Sequence, residues 1–322
     1  MGKVVINPAE LAQSAHKYRK ELLQVPMHSM RKTTQYMTVR RGIRFKETVG
    51  ELSGDIELGP YSETRVDDDD IKAKGRTLET FFGSVVKNFS PNSVVKSIYD
   101  SAVTKGEQLT NVEIARRVLA FLSAKLGHNL AAHIFDAVRN DNGTKSKDLF
   151  NGFDTIMAAE IGAATPTVST DLGNLFEFDA AIDANNAIDQ LTAMCESASD
   201  LLVDNDDREV NLYCSRAIYR AYLKDYQASN GALPYNNEFY KPVIEGFENV
   251  HFVPLYNMAK SPFVYLTPRS NMLVGVNQED EEEDITVEKH AAFVLQFIAT
   301  MFFGVQFESL SPENLMVGKL HV

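Results

Sequence analysis

Metal binding, thiol chemistry and carboxylate chemistry each need particular residues at particular spacings, and this sequence holds candidates for all three. Its histidines, His16, His28, His128, His133, His251, His290 and His321, are scattered along the chain. Only His128 and His133 share one predicted helix, and they stand five positions apart. Zinc ligands on a helix need an i, i+4 spacing that brings both rings to one face, so these two read as structural. Cys195 and Cys214 have no CxxC partner and no neighbour that would activate a thiolate. Both read as small core residues, and so few cysteines argue for a reducing compartment over a disulfide scaffold. Two acidic runs, Asp67–Asp70 and Glu279–Asp284, could gather a hard cation. Neither has the alternating carboxylates and turn glycine of a calcium loop, so solvated loops are the better reading. No GxGxxG, GxSxG, or GxxxxGK followed by Ser or Thr occurs, which removes the usual support for nucleotide binding and serine hydrolysis. The expectation is a chain with no catalytic residue, no cofactor and no metal.

One cluster does suggest a partner. Arg40, Arg41, Arg44 and Lys46 crowd around Gly42. They could touch phosphate, but only Tyr36 and Phe45 are close enough in sequence to offer a stacking ring, so this is no platform for single-stranded nucleic acid. Contact with an acidic neighbouring subunit is the stronger reading. Charge distribution points the same way: residues 1–50 carry ten Lys or Arg against three acids, a balance of +7, whereas the whole chain carries −12 and the rest therefore −19. A basic head on an acidic body favours self-association or an anionic partner, although from charge alone a solvated N-terminal helix fits equally well.

Elements that could position such a surface follow from periodicity. Residues 111–140 read as one helix, with Ile114, Val118, Leu122, Leu126, Leu130, Ile134 and Val138 at every fourth position after a capping Thr110 or Asn111. Unbroken, it would run about 45 Å. A strict i+4 stripe drifts about 40° per step, so different elements should meet it along its length. Gly127 costs about 1 kcal/mol relative to alanine in a helix, which marks a close contact, a kink or a break. Residues 7–24 read as a helix with Asn7 capping and Pro8 in the first turn. Residues 35–66 are short β-prone pieces between Gly42, Gly50, Gly54, Gly59 and Pro60. They are poor in core residues, a long excursion that a neighbouring subunit would have to support. Thr77–Phe89 turns apolar and should return the chain to a core, followed by a short helix at 93–102.

Further on, Gly143, Asn151 and Gly152 suggest a hairpin through 144–157. Residues 177–203 read as helical with Phe178, Ile182, Ile188, Leu191 and Leu201 inward. Strands are expected at Glu209–Ser215, Val250–Pro254, Phe263–Leu266 and Met272–Val276, a helix at Arg216–Tyr226, and an apolar segment ending in a strand over 285–307. The class is α+β, without a repeated βαβ unit. There is no apolar run of membrane-spanning length and no signal-peptide core.

The C-terminal third carries a family likeness. Its pieces are EVNLYCSRAIYRAYLKDY, a spacer with Gly231 and Pro234, FENVHFVPLYNM, FVYLTPRSNMLVGVN, the acidic run, and EKHAAFVLQFIATMFFGVQFESLSPENLMVGKL. This succession resembles the tailed-bacteriophage major capsid proteins of the Hong Kong-ninety-seven type. In them a strand like that ending at Val253-Pro254 precedes one like MLVGV, and a long strand pair closes in a pattern like Gly304–Val317. Upstream, a basic arm, a Gly-rich extended loop, a long helix and a hairpin continue the likeness over nearly the whole chain. Each motif alone is soft; their order carries the resemblance.

That resemblance implies an α+β capsid fold with an N-terminal arm at 1–37 and an extended loop at 38–78 lying over a neighbour. A peripheral domain at 79–179 and 281–322 would hold the long spine helix, and an axial domain at 180–280 would gather around five- and six-fold axes. It implies a structural protein, not an enzyme, that assembles as hexamers and pentamers into an icosahedral shell around double-stranded DNA. Implied partners are many copies of itself, a scaffolding protein, a portal, decoration proteins, and packaged DNA through non-specific contacts, with no membrane. The scaffold is implied because the chain starts almost directly at the arm, where some relatives carry a long assembly domain. Arg40, Arg41, Arg44 and Lys46 become inter-subunit or DNA-facing contacts. The implied location is the virion capsid, assembled in the bacterial host cytoplasm. Some relatives crosslink a loop lysine to a partner asparagine; Lys72 and Lys74 lie in the matching region, but that crosslink is not expected here. Competing readings are an encapsulin-type bacterial compartment shell, an open tail or tube subunit, and a metal-dependent enzyme built on the acidic runs.

Overall fold

The computed structural model describes residues 29–53, 72–89, 111–205, 208–230, 243–277, 285–291 and 294–321. The helices expected at 7–24 and 93–102 and both acidic runs lie outside these residues. After a helical turn at 29–34, strand β1 (Thr38–Arg41) leads into a hairpin of β2 (Lys46–Ser53) and β3 (Lys72–Glu79), and β4 (Phe81–Phe89) follows. Helices α1 (Asn111–Ala132) and α2 (Phe153–Ile161) come next. Then β5 (Leu175–Glu177), α3 (Ala187–Glu196) and α4 (Asp200–Val203) lead to a β–α–β unit of β6 (Val210–Ser215), α5 (Arg216–Asn230) and, past the short β7 (Val243–Ile244), β8 (Phe247–Leu255). Strands β9 (Phe263–Pro268), β10 (Met272–Val276), β11 (Ile285–Ala291), β12 (Val294–Phe307) and β13 (Met316–Lys319) complete the order.

Two sheets and the layer between them hold the core. In the five-stranded sheet the long β12 pairs with β10 and β11 along its length and with β4 across nine register positions from Phe89 to Phe81, while β1 adds in parallel beyond β10. The six-stranded sheet runs β5-β13-β9-β6-β8-β7, with β6 and β8 parallel because α5 crosses between them. β2 and β3 form a separate two-stranded ribbon. β9 and β10 are buried at every position, which is why FVYLTP and MLVGV read as continuous apolar runs instead of alternating ones. One core lies between the sheets and includes a chain of rings: Phe135, Phe153, Phe307 and Tyr265 have successive centroids 5.6, 4.9 and 5.6 Å apart. The second core lies under α3 and α5, where Tyr219 and Tyr222 meet Phe252. Asp225 of α5 accepts the Ile188 amide at 2.9 Å, so one helix satisfies an orphan donor at the start of another.

The long helix ends earlier than its apolar spacing predicts. It stops at Ala132, the chain turns through 133–136, and Val138, expected inward, is 58% exposed. The reason is the next helix. The amides of Phe153 and Asp154, at the start of α2, donate to the carbonyls of Ile134 and Phe135, and Gly152 donates to Ala137. Carbonyls that a continued helix would have used instead satisfy the unpaired donors of α2. Only glycine fits the approach: a Cβ on Gly152 would sit 2.2 Å from the Phe135 carbonyl oxygen. Gly127 lies buried within an unbroken helix, so it marks no break. As the winding stripe implies, α1 meets more than one element: Asn257, from the turn 256–258, donates to the Ala131 carbonyl at 2.8 Å, and the turn 146–148 packs on the helix as well.

Two further expectations are corrected. Residues 144–157 form no hairpin; a 3-10 turn at Ser146–Asp148 precedes α2. In 177–203 the helices cover only Ala187–Glu196 and Asp200–Val203, and Leu201 points outward at 57% exposure. Phe178 and Leu191 are buried as expected, with Ile182 and Ile188 packed at the margin of the same core. No helix among the described residues is long and apolar enough to cross a membrane.

Candidate interaction surface

Among the described residues, packing accounts for both thiols. Cys195 and Cys214 are buried and free, and burial pushes both thiols up to about 12, far from the thiolate that reactivity needs. His128 is exposed, and Nδ1 of His133 lies 2.9 Å from Asp136. Among the described residues no three His, Cys, Asp or Glu side chains are placed to share a metal ion.

A different surface stands out at the base of the hairpin. Alternate residues of β4, namely Phe82, Ser84 and Val86, lie on one face of the sheet opposite Phe302, Thr300 and Ile298 of β12. Phe82 and Val86 are 55% and 56% exposed, and Phe45, at the start of the hairpin, is 64% exposed. Phe302 lies beneath Phe45 and Phe82, 4.9 Å from the Phe82 ring and edge-on to Phe45 at 5.3 Å. Phe45 holds a φ of 69°, left-handed backbone that a bulky residue rarely adopts, at a cost of about 1–3 kcal/mol. It is pinned there because its carbonyl accepts the Thr80 amide at 2.7 Å. A strained residue that keeps an apolar ring in water, next to a second exposed ring, makes this face the candidate contact surface.

The basic cluster borders this patch. Arg40 and Arg41 close β1, Gly42 turns with a φ of 76°, and Arg44 and Lys46 flank Phe45. All four side chains are exposed. Arg40 lies 3.5 Å from Glu308, and Lys46 lies 3.2 Å from Glu79. Exposed pairs of this kind contribute about 0–1 kcal/mol each, so they constrain the side chains little. The sequence named these basic residues and missed Phe82 and Val86. TLETFFGSVVKNF carries polar and apolar residues on both faces of the strand, so it has no period-2 signature and reads simply as core.

The hairpin that carries the cluster is anchored at its base. Ile43, Val49 and Leu78 bury against Leu273. Thr80, at the bend into β4, donates to the Ile43 carbonyl at 3.2 Å. Arg76 reaches past the sheet edge, donating to Glu160 of α2 at 2.7 Å, to the Gln306 side chain at 3.1 Å and to the Phe307 carbonyl at 3.2 Å. Burial alone would raise the Glu160 carboxyl, but hydrogen bonds from Thr167 and Arg76 and the guanidinium charge hold it below its ordinary value. Arg76→Ala strands these acceptors in a half-buried site and should cost about 2 kcal/mol. Denaturant titration at pH 7 checks this; an unchanged midpoint would show that the anchor contributes nothing.

No protein-family model matches the sequence, and no curated protein matches it either. The fold does have solved counterparts. A chain of the satellite phage P4 procapsid superposes with a TM-score of 0.55 over 92% of this chain and 98% of that one, at 13% identity. The capsid of the native GTA particle gives 0.57 over 91% of each chain at 11% identity. The cyanophage A-1(L) capsid gives 0.58 over 92% of each, also at 11%. With identity so low the likeness lies in the fold and not in the residues. This chain has the major capsid fold of tailed bacteriophages, the Hong Kong-ninety-seven type.

Proposed function

We propose that this protein is the major capsid subunit of a tailed bacteriophage, assembling in many copies into an icosahedral shell around double-stranded DNA. The observation that carries the reading is the capsid fold over about nine-tenths of the chain, and the exposed Phe45–Phe82 patch, with Val86 further along β4, supports it. Closed shells reuse one chain in symmetric contacts, and exposed apolar residues at the hairpin base and along β4 are what such a contact would cover. The arm corresponds to 1–37, the extended loop to 38–78, the peripheral domain to 79–179 with 281–322, and the axial domain to 180–280. β10 and β13 each pair into the sheet of the other part, so the two domains would interlock. Partners on this reading are copies of itself in hexamers and pentamers, a scaffolding protein, a portal, decoration proteins and the packaged DNA. The site of assembly is the host cytoplasm and the final location the virion.

The exposed face of α1, where Phe121 is 59% exposed with Lys125 over its ring, is a second place for a neighbour to rest. Electron microscopy of the expressed protein, alone and with the scaffold encoded beside it, tests the proposal. Closed particles support it, while monomers under both conditions or open tubes would overturn it. Protein cargo in place of DNA would favour the compartment-shell reading. Arg40, Arg41 and Arg44 supply the basic inter-subunit or DNA-facing contact, with Lys46 beside them. Reversing all three arginines to glutamate should abolish particles or leave them empty; normal genome-filled particles from that variant would remove the cluster from the account.

A further inference from the structure

We propose that α2 is an acid-responsive coupler: acidification tightens its Asp154 end on the six-stranded sheet and releases its Glu160 end from the hairpin. The helix is short, Phe153–Ile161, and carries one buried or half-buried carboxyl near each end. At the first end Asp154 is 7% exposed, and its Oδ1 accepts the Tyr265 hydroxyl at 2.7 Å and the Ser261 hydroxyl at 3.0 Å. Both donors are neutral. The titratable groups facing it are Tyr265 from β9 and Asp136 from the turn after α1, the latter paired with His133. At the other end Glu160 accepts from Arg76 of the hairpin and from Thr167 at 2.5 Å, and Arg76 is the charged group that faces it.

The two environments act in opposite senses. Burial, the largest influence, pushes the Asp154 carboxyl up to about 6; the nearby Asp136 adds to this and the two hydroxyls pull back. A group whose folded value is raised gives its full stabilisation below its unfolded value, here 3.8, and loses it as pH rises through the folded one. The Asp154 contact therefore weakens from about pH 4 to about pH 6 and is constant above. At about tenfold per pKa unit, the loss is roughly 100-fold. Glu160 has a lowered value, so its contact with Arg76 is complete above 4.5, its ordinary value, and fails as pH falls further. Neutral pH thus favours the hold on the hairpin, and acid favours the hold on the sheet.

Hydrogen exchange on the full chain from pH 3.5 to 7.5, with rates corrected for intrinsic chemistry, tests this without requiring assembly. Amides of α2 near Asp154 should open roughly 100-fold more often at pH 6.5 than at pH 4 and show no further change above. Amides at the hairpin base should open more only in acid. Asp154→Asn should abolish the first transition and keep the second; Glu160→Gln should do the reverse. If Asp154→Asn does not fold, Tyr265→Phe serves in its place, because losing a donor to the carboxylate should move the first midpoint to higher pH. A flat wild-type profile, a first transition that survives Asp154→Asn, or a midpoint unmoved in Tyr265→Phe would each overturn the proposal. So would a first transition abolished by His133→Gln.

Discussion

Gly304→Ala should destabilise the subunit by about 3 kcal/mol or more and lower its melting temperature by roughly 5–10 °C. The strand β12 carries Gly304 directly opposite Gly275 of β10, and the bend between β3 and β4 lies flat on this pair. A Cβ at Gly304 would stand 2.0 Å from the Glu79 carbonyl oxygen and 3.1 Å from the Thr80 Cα. These are backbone atoms, fixed by the Thr80 amide bonded to Phe45 and by the β4–β12 register on one side and the β2–β3 register on the other. Relief would need the whole hairpin to lift from the sheet. Gly83→Ala is the control. Its Cβ would meet Leu149 Cδ2 at 2.8 Å, also too close, but the far end of a leucine can turn aside at modest cost. Thermal unfolding of both variants decides the matter: an unchanged melting temperature in Gly304→Ala would show that the hairpin base is not seated on the sheet by this contact.

Local pattern made much of the fold legible. The strands at Val210–Ser215, Phe263–Pro268 and Met272–Val276, the helix α5 and the two buried cysteines all follow from apolar runs and 3.6-residue spacing. Local pattern failed where a distant partner decided the outcome. The i+4 series through Val138 is a sound helix signal, yet the carbonyls of Ile134, Phe135 and Ala137 are taken by amides of 152–154, and nothing in the series announces that. The hairpin expected at 144–157 fails for the same reason: Gly152 has the look of a turn residue, but it lets the start of α2 touch the end of α1. The surface was half legible. Clustered arginines show in a sequence because they are close together, but Phe45, Phe82 and Phe302 come together only when β4 pairs with β12 and the Thr80 amide ties Phe45 to the start of β4. Asp154, two positions after Gly152, carried no signal at all; its burial is a consequence of Tyr265 and Ser261, more than a hundred residues away.

The second large effect should come from that aromatic patch and should fall on assembly while sparing the fold. Phe82→Glu places a charge where the side chain is already 55% exposed. The isolated subunit should therefore lose little: the Phe82–Phe302 ring contact, about 0.5–1.5 kcal/mol. In a shell the same position would be covered by a neighbour, and an unpaired buried carboxylate is a penalty of several kcal/mol per subunit, repeated at every contact. Particles should not form. Phe45→Gly gives the complementary test because its two consequences have opposite signs. Removing the side chain from a φ of 69° relieves backbone strain of about 1–3 kcal/mol, while the lost edge contact with Phe302 returns about 0.5–1.5 kcal/mol. The monomer should thus be as stable as wild type or slightly more so, yet assemble less well, because a strained exposed ring has value only where something packs on it. Melting temperature and sedimentation, measured on the same samples, separate the two effects. Normal particles from Phe82→Glu would place the patch outside every subunit contact. A destabilised Phe45→Gly monomer would mean that the ring serves the fold of its own chain.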